Sequence, residues 1–264
     1  MTSSTPDALW SAPSARLLRP AGIAWTNLDR GRLLTGCSLA VPVGARVLIA
    51  SEPEASGSVL LRILAGLSPS RRGEIQIAGM RHGWERRVGY LGPDPGVRSW
   101  MTPRETLWLA ADLLGLAAPD ARRRIADVLA WSRIPAGDAD VPVRRGGPAL
   151  RQRTGLAAAL LDDPEVLLLD EPLRAIDAAE RRRVLRFPGR RRTVLLASRY
   201  PASEAGLVSH VALLRAGRFA MLAPANDLAA AGLPLSMQGI VALAELRAAT
   251  AGAEPRRRSP ITAP

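Results

Sequence analysis

Residues 166–172, Val166-Leu167-Leu168-Leu169-Asp170-Glu171-Pro172, decide the fold. Four consecutive aliphatic residues offer no polar face to water, so a strand here must be covered on both sides. Strands of that kind lie in parallel sheets with helices on each face. Working outward, Arg46–Ala50 has the same apolar character. A helix over Ser56–Leu67 follows it, with Val59, Leu60, Ile63, Leu64 and Leu67 on one face. Further strands are predicted at Ile75–Ile77, Val88–Leu91, Thr193–Ala197 and Val211–Leu214, and short ones between Ala21 and Val41. The alternation of strand and helix implies a parallel sheet with right-handed crossovers.

Between Leu91 and Val166 the pattern turns helical. Thr102-Pro103-Arg104-Glu105 is a capping box with proline at the first helical position. Helices are predicted from there to about Leu114, over Pro119–Ala130 and over Ala149–Leu161, with a loop at Gly137–Pro148. Ser203–Val208 reads as a helix, Arg215-Ala216-Gly217-Arg218 as a hairpin turn and Ser236–Ala249 as a last helix. Residues 1–20 read as a flexible tail. Residues 21–225 read as one domain with a helical subdomain at about 98–150, and 226–264 as a helical extension with a basic tail. No internal repeat is visible.

Composition narrows the function classes. The chain has 264 residues, about half of them apolar, which suits a globular domain. No apolar run approaches the roughly 20 residues that span a bilayer. Met1–Pro20 lacks the apolar centre of a signal peptide. The single cysteine, Cys37, cannot form an internal disulfide, which fits a reducing compartment. All 36 basic residues are arginine and the net charge is +12. That charge allows two partner classes, nucleic acid and an anionic membrane surface. Two tyrosines and two phenylalanines are too few to interleave with the arginine runs as base-stacking platforms, so a membrane-side surface is the expectation.

Several segments together resemble the ABC ATPase family. Val166–Pro172 is similar to its Walker B strand with the following Glu-Pro, and Ala175-Ile176-Asp177 to its D-loop. Arg151-Gln152-Arg153, Ala157–Leu161 and Asp163-Pro164 match the stretch that leads from the signature to Walker B. Leu60–Leu67 matches the helix after Walker A, and Gly73-Glu74-Ile75 the strand beyond it. The resemblance covers roughly residues 21–225. It implies an α/β fold: a P-loop NTPase-like parallel core, an N-terminal antiparallel β subdomain and an inserted helical subdomain. Asp170 would then hold Mg²⁺ and Glu171 would polarise the attacking water.

The same alignment shows what has changed. Walker A needs glycines, whose backbone N–H groups wrap phosphate, and a lysine that reaches it. Here the loop is Ser51-Glu52-Pro53-Glu54-Ala55-Ser56-Gly57-Ser58, and Gly57 occupies the lysine position. Pro53 has no N–H to give. Glu52 and Glu54 put negative charge where phosphates would sit. Ser58 alone survives, as a Mg²⁺ ligand beside Asp170. Pro93 stands at the Q-loop glutamine and Arg199 at the switch histidine. Gly146-Gly147-Pro148-Ala149-Leu150 stands at the LSGGQ signature, so Gly147, Pro148 and Ala149 replace its serine and paired glycines. His82 and His210 lie elsewhere and read as ordinary histidines. Trp25, the nearest aromatic to an adenine site, reads as core.

Losing a charged hydrogen bond costs roughly 1.5–3 kcal/mol, so the missing lysine and N–H together cost on the order of 100-fold in affinity or more. The expectation is therefore a vestigial nucleotide site: Ser51, Gly57, Ser58, Val59, Pro93 and Asp170, with Glu171 and Arg199 at the catalytic positions. No cofactor is expected. The chain would serve a membrane transport complex as a scaffold or regulator on the inner face of the cell membrane. Its partners would be transmembrane transporter subunits or a second ABC ATP-binding subunit. The alternative is an ATP-binding subunit with unorthodox ligands that still powers export, with Arg199 on the γ-phosphate and Ser58 with Asp170 on Mg²⁺. A nucleic-acid-binding module and a decaying duplicate are the remaining readings.

Overall fold

The computed structural model describes residues 22–171, 175–177 and 192–253. The expected tail at 1–20, Pro172 and the basic C-terminal tail lie outside these residues. Two sheets organise the chain. In the smaller one, β1 (Ile23–Leu28) runs antiparallel between β2 (Cys37–Val41) and β4 (Glu74–Ile77). In the larger one, β3 (Arg46–Glu52), β5 (Val88–Leu91), β6 (Val166–Asp170), β7 (Thr193–Ala197) and β8 (His210–Arg215) are parallel. β9 (Arg218–Pro224) closes that sheet antiparallel, and the order across it is β5-β6-β7-β3-β8-β9.

β6 shows why the aliphatic run forms a central strand. Its side chains alternate between faces. Leu167 and Leu169 enter the core on the helical side, while Val166 and Leu168 enter the core shared with the small sheet. All five residues of β6 are buried. Burying each such side chain contributes roughly 1.5–3 kcal/mol, so no register that exposes them competes. Trp25 is 1% exposed and packs tilted on Phe219, in the core as expected.

α1 (Ala55–Leu64) follows β3 and packs its buried face, Leu60, Leu61, Ile63 and Leu64, under the small sheet. It ends three residues earlier than the apolar spacing suggests. Gly66 takes φ +73°, the Gly66 N–H bonds Ile63 O and the Leu67 N–H bonds Arg62 O. This is a Schellman end, which turns Leu67 outward. The helical segment holds α2 (Pro103–Leu113), α3 (Ala118–Trp131) and α4 (Gly147–Leu160). The capping box is formed: Thr102 accepts from the Glu105 N–H, and Glu105 from the Thr102 N–H. A 3₁₀ turn at Val143–Arg145 and the early start of α4 shorten the expected loop at 137–148.

Ser203–Val208 is not a helix. Only Pro201–Glu204 makes a 3₁₀ turn, because Gly206 takes φ +75° and Leu207 drops into the core. The hairpin turn at Ala216-Gly217 joins β8 to β9 as expected. α5 (Asn226–Ala230) and α6 (Met237–Ala253) end the described chain, and Ile240 and Leu243 of α6 pack on the helical-side core.

Candidate functional site

β6, β7 and β3 are neighbours and parallel, with Asp170 beside Ala197 and Ile49 beside Ala197. Three segments therefore leave one edge together: Glu171 after β6, Ser198-Arg199 after β7, and the loop Ser51–Ser58 after β3. In open α/β sheets this carboxyl edge is where ligands bind.

Asp170 is 1% exposed. Its Oδ1 accepts from the Ser58 hydroxyl at 2.8 Å and its Oδ2 from the Tyr90 hydroxyl at 3.5 Å. Burial pushes the Asp170 carboxyl above the usual carboxylate range; the Ser58 hydrogen bond opposes this and the neighbouring Glu171 charge adds to it. Burial likewise raises the Tyr90 phenol to about 12.

The phosphate-loop segment is folded on itself. The Ser51 hydroxyl donates to Glu54 O at 3.0 Å and accepts the Gly57 N–H at 3.2 Å. The Ser56 N–H donates to Pro53 O at 3.0 Å, and the Gly57 N–H is shared with Glu54 O at 3.3 Å. A Cβ at Gly57 would stand 2.9 Å from Ser51 Oγ and 3.3 Å from Ala197 Cβ.

Glu52 and Glu54 are not bare negative charges, which corrects the reading from sequence. Arg215 Nε lies 3.1 Å from Glu52 Oε2, with Glu245 of α6 at 4.0 Å from the same guanidinium. Arg199 Nε lies 3.8 Å from Glu54 Oε2 and 3.2 Å from Glu171 Oε1, which also accepts the Arg199 N–H at 2.8 Å. The residue at the switch position thus ties the loop to the end of β6.

Other expected site residues lie apart from this cluster. Val59 is partly buried in α1 and packs against the small-sheet core. Pro93 is exposed, in the turn where Asp94 accepts the Gly96 N–H and pairs with Arg151 of α4 at 2.8 Å. Gly147, Pro148 and Ala149 open α4, which packs on α2, α3 and β5. Gln152 of α4 accepts the Ala175 N–H at 2.8 Å, tying the D-loop position to the same helix. His82 is exposed and His210 begins β8, where burial lowers its pKa; neither joins the cluster.

Sequence reading missed two participants, Tyr90 and Arg215. Tyr90 could have been found from register, since β5 pairs with β6 and sets Tyr90 beside Leu168, two residues short of Asp170. The arginine pairings carry no such periodic signal.

Two N–H groups of the loop are bonded within it, no lysine exists in the chain, and the adjacent guanidinium faces two carboxylates. A triphosphate entering this loop would have to displace these contacts. Ser58 and Asp170 retain oxygens of the type Mg²⁺ takes, bonded here to each other.

The ABC transporter family model matches residues 34–174, just over half of the chain. The chain belongs to the ABC transporter ATP-binding family. A taurine import ATP-binding protein of Sinorhizobium fredii is 31% identical to it over 233 residues, 84% of this chain and 81% of that one. An uncharacterised ABC transporter ATP-binding protein of Nostoc sp. is 28% identical over 247 residues, 90% of this chain and 72% of that one. The solved structure of an ATP-binding subunit of an ABC transporter superposes with a TM-score of 0.70 at 22% identity, over 84% of this chain and 99% of that one, a likeness of fold. Among the described residues of this ABC family member, no helix is long and apolar enough to cross a membrane.

Proposed function

We propose that this ABC-type chain is a non-hydrolysing subunit that acts as a scaffold or regulator of a membrane transport complex. The observation that carries the reading is the self-closed phosphate loop. Ser51 Oγ bonds the Gly57 N–H, and Arg199 joins Glu54 to Glu171 across the site. A triphosphate would have to break these contacts and would gain no lysine in return. Among the described residues both hydrophobic cores are packed, and a domain so built can offer surfaces for transmembrane subunits or a second ATP-binding subunit. Relatives named as import ATP-binding proteins support a transport role, and the place of action is then the inner face of the cell membrane. No cofactor is required.

A second reading rests on the Ser58–Asp170 pair, which retains the oxygens for a cation. In it, Arg199 leaves Glu171 and holds a γ-phosphate, and the subunit still powers transport. Purification from the native host membrane, followed by a phosphate-release assay on the recovered complex, separates the two. Recovery with membrane subunits, and loss of their transport on deletion of this chain without loss of the complex's own ATP turnover, supports the scaffold. Turnover that disappears with Asp170→Ala in this chain supports the second reading instead.

A further inference from the structure

We propose that the loops 29–36 and 67–73, at the end of the small sheet, form a platform for anionic phospholipid headgroups. The two loops are joined by backbone and side-chain hydrogen bonds. The Asp29 N–H donates to Ser70 Oγ at 3.0 Å, the Arg71 N–H donates to Asp29 O at 2.9 Å, and Arg30 Nη1 donates to Pro69 O at 2.9 Å. Arg30 and Arg71 thus lie on bonded segments, with Arg32 and Arg72 next along the same two loops, and all four are exposed. Arg32, Arg71 and Arg72 have no carboxylate partner among the described residues. The one acid in these loops, Asp29, turns its Oδ1 back to the Gly31 N–H at 3.1 Å. Arginines held together without partners make a local positive field that favours an anionic surface.

Two further features favour lipid over another polyanion. Leu67 stands beside these arginines and is 57% exposed, pointed outward by the Schellman end of α1. Beside the second loop lies a cleft of about 580 Å³, lined by the buried Leu28, Ile63 and Trp84, by Ile75 and by Ser68, with Arg81 and Glu74 paired across it at 2.7 Å. Arginines on the same loops as an exposed leucine suit an amphiphile, whose headgroup meets arginine and whose chain meets Leu67. Nucleic acid would ask for stacking aromatics, and the exposed ones among the described residues, Trp100 and Tyr200, belong to other segments. This surface is separate from the nucleotide site and stands whether or not that site binds.

The test is co-sedimentation of the full chain with vesicles of phosphatidylcholine alone and of phosphatidylcholine mixed with phosphatidylglycerol. Binding to the mixed vesicles only, weakened by added salt, is expected. The triple variant Arg32→Gln, Arg71→Gln, Arg72→Gln should lose on the order of 100-fold in affinity, from roughly fivefold per arginine. A control with the same charge removed elsewhere, Arg122→Gln, Arg144→Gln, Arg145→Gln, should lose less than tenfold. A second readout does not depend on that comparison. Leu67→Cys can be labelled alone with a polarity-sensitive maleimide dye, because Cys37 is buried, and its emission should shift blue on mixed vesicles. Equal losses in the two triple variants, equal binding to neutral vesicles, or an unshifted dye would each overturn the proposal. So would tighter binding to duplex DNA than to the mixed vesicles.

Discussion

Restoring the missing lysine alone, as Gly57→Lys, should not restore nucleotide binding. The new Cβ meets Ser51 Oγ at 2.9 Å, closer than such atoms sit, so the Ser51 hydroxyl has to move. Its bonds to the Gly57 N–H and to Glu54 O are then lost. Two such bonds are together worth about 1–3 kcal/mol, while a lysine–phosphate bond contributes about 1.5–3 kcal/mol. The bond loss falls on the unliganded chain, while on binding Pro53 still withholds an N–H and Arg199 must still leave Glu54 and Glu171, so the variant gains less than about tenfold in affinity. It should also melt lower by about 2–12 °C, at 2–4 °C per kcal/mol for a chain of this size. Replacing Ser51–Ser58 as a block with a glycine-rich, lysine-bearing loop removes Pro53, Glu52 and Glu54 together with the internal bonds. That variant should bind Mg·ATP, and ATP at a hundredfold excess over its Kd should raise stability by about 2.7 kcal/mol. Phosphate release should stay negligible, because Pro93, Arg199 and the Gly147–Ala149 segment lie outside the graft. The assay is calorimetric titration with Mg·ATP beside thermal melts with and without nucleotide. Micromolar binding by Gly57→Lys alone would contradict this, since it would mean that neither Pro53 nor the Arg199 pairs with Glu54 and Glu171 resist nucleotide.

Ser58→Ala should destabilise the chain by about 1.5–3 kcal/mol, seen as a lower urea midpoint, because Asp170 loses its 2.8 Å donor. Asp170→Asn should stabilise it. Burial holds the Asp170 pKa above its unfolded value, so the folded chain binds the extra proton and stability falls as pH rises through and above the usual carboxylate range. The gain in Tm from Asp170→Asn should therefore grow from acidic towards neutral pH, and a gain that shrinks would contradict the assignment. Glu171→Gln should leave the gel-filtration profile unchanged by Mg·ATP, and an ATP-dependent dimer would promote the reading with unorthodox ligands. Affinity purification from the native host should recover a transmembrane subunit or a second ATP-binding subunit, and recovery as a lone monomer would count against the scaffold role.

The architecture was legible because its signals are local or periodic. The aliphatic run at 166–169, the capping box at Thr102 and the hairpin at 215–218 each dictate an element without reference to distant residues. The misjudged segment, Ser203–Val208, has an apolar spacing too short to outweigh one glycine at positive φ. Of the candidate site, what could be read was which residues follow β3, β6 and β7; Ser58 and Asp170 were expected side by side as Mg²⁺ ligands, and they bond each other. What could not be read was how the altered residues satisfy one another. Arg199 lies 28 residues beyond Glu171 and 145 beyond Glu54, and Arg215 lies 163 beyond Glu52. Such pairings follow from the order β6-β7-β3-β8 and leave no spacing in the sequence. For the same reason the loop acids read as repulsive when each has a guanidinium within 4 Å.

The loop of the unmodified chain should be closed to nucleotide. Equilibrium titration of the purified full chain with Mg·ATP, followed by heat and by phosphate release on the same sample, tests it most directly. No saturable binding below roughly millimolar concentration and no release above background are expected, since the lost contacts remove several kcal/mol. Saturation in the micromolar range would contradict the closed loop, and turnover would contradict the non-hydrolysing role as well.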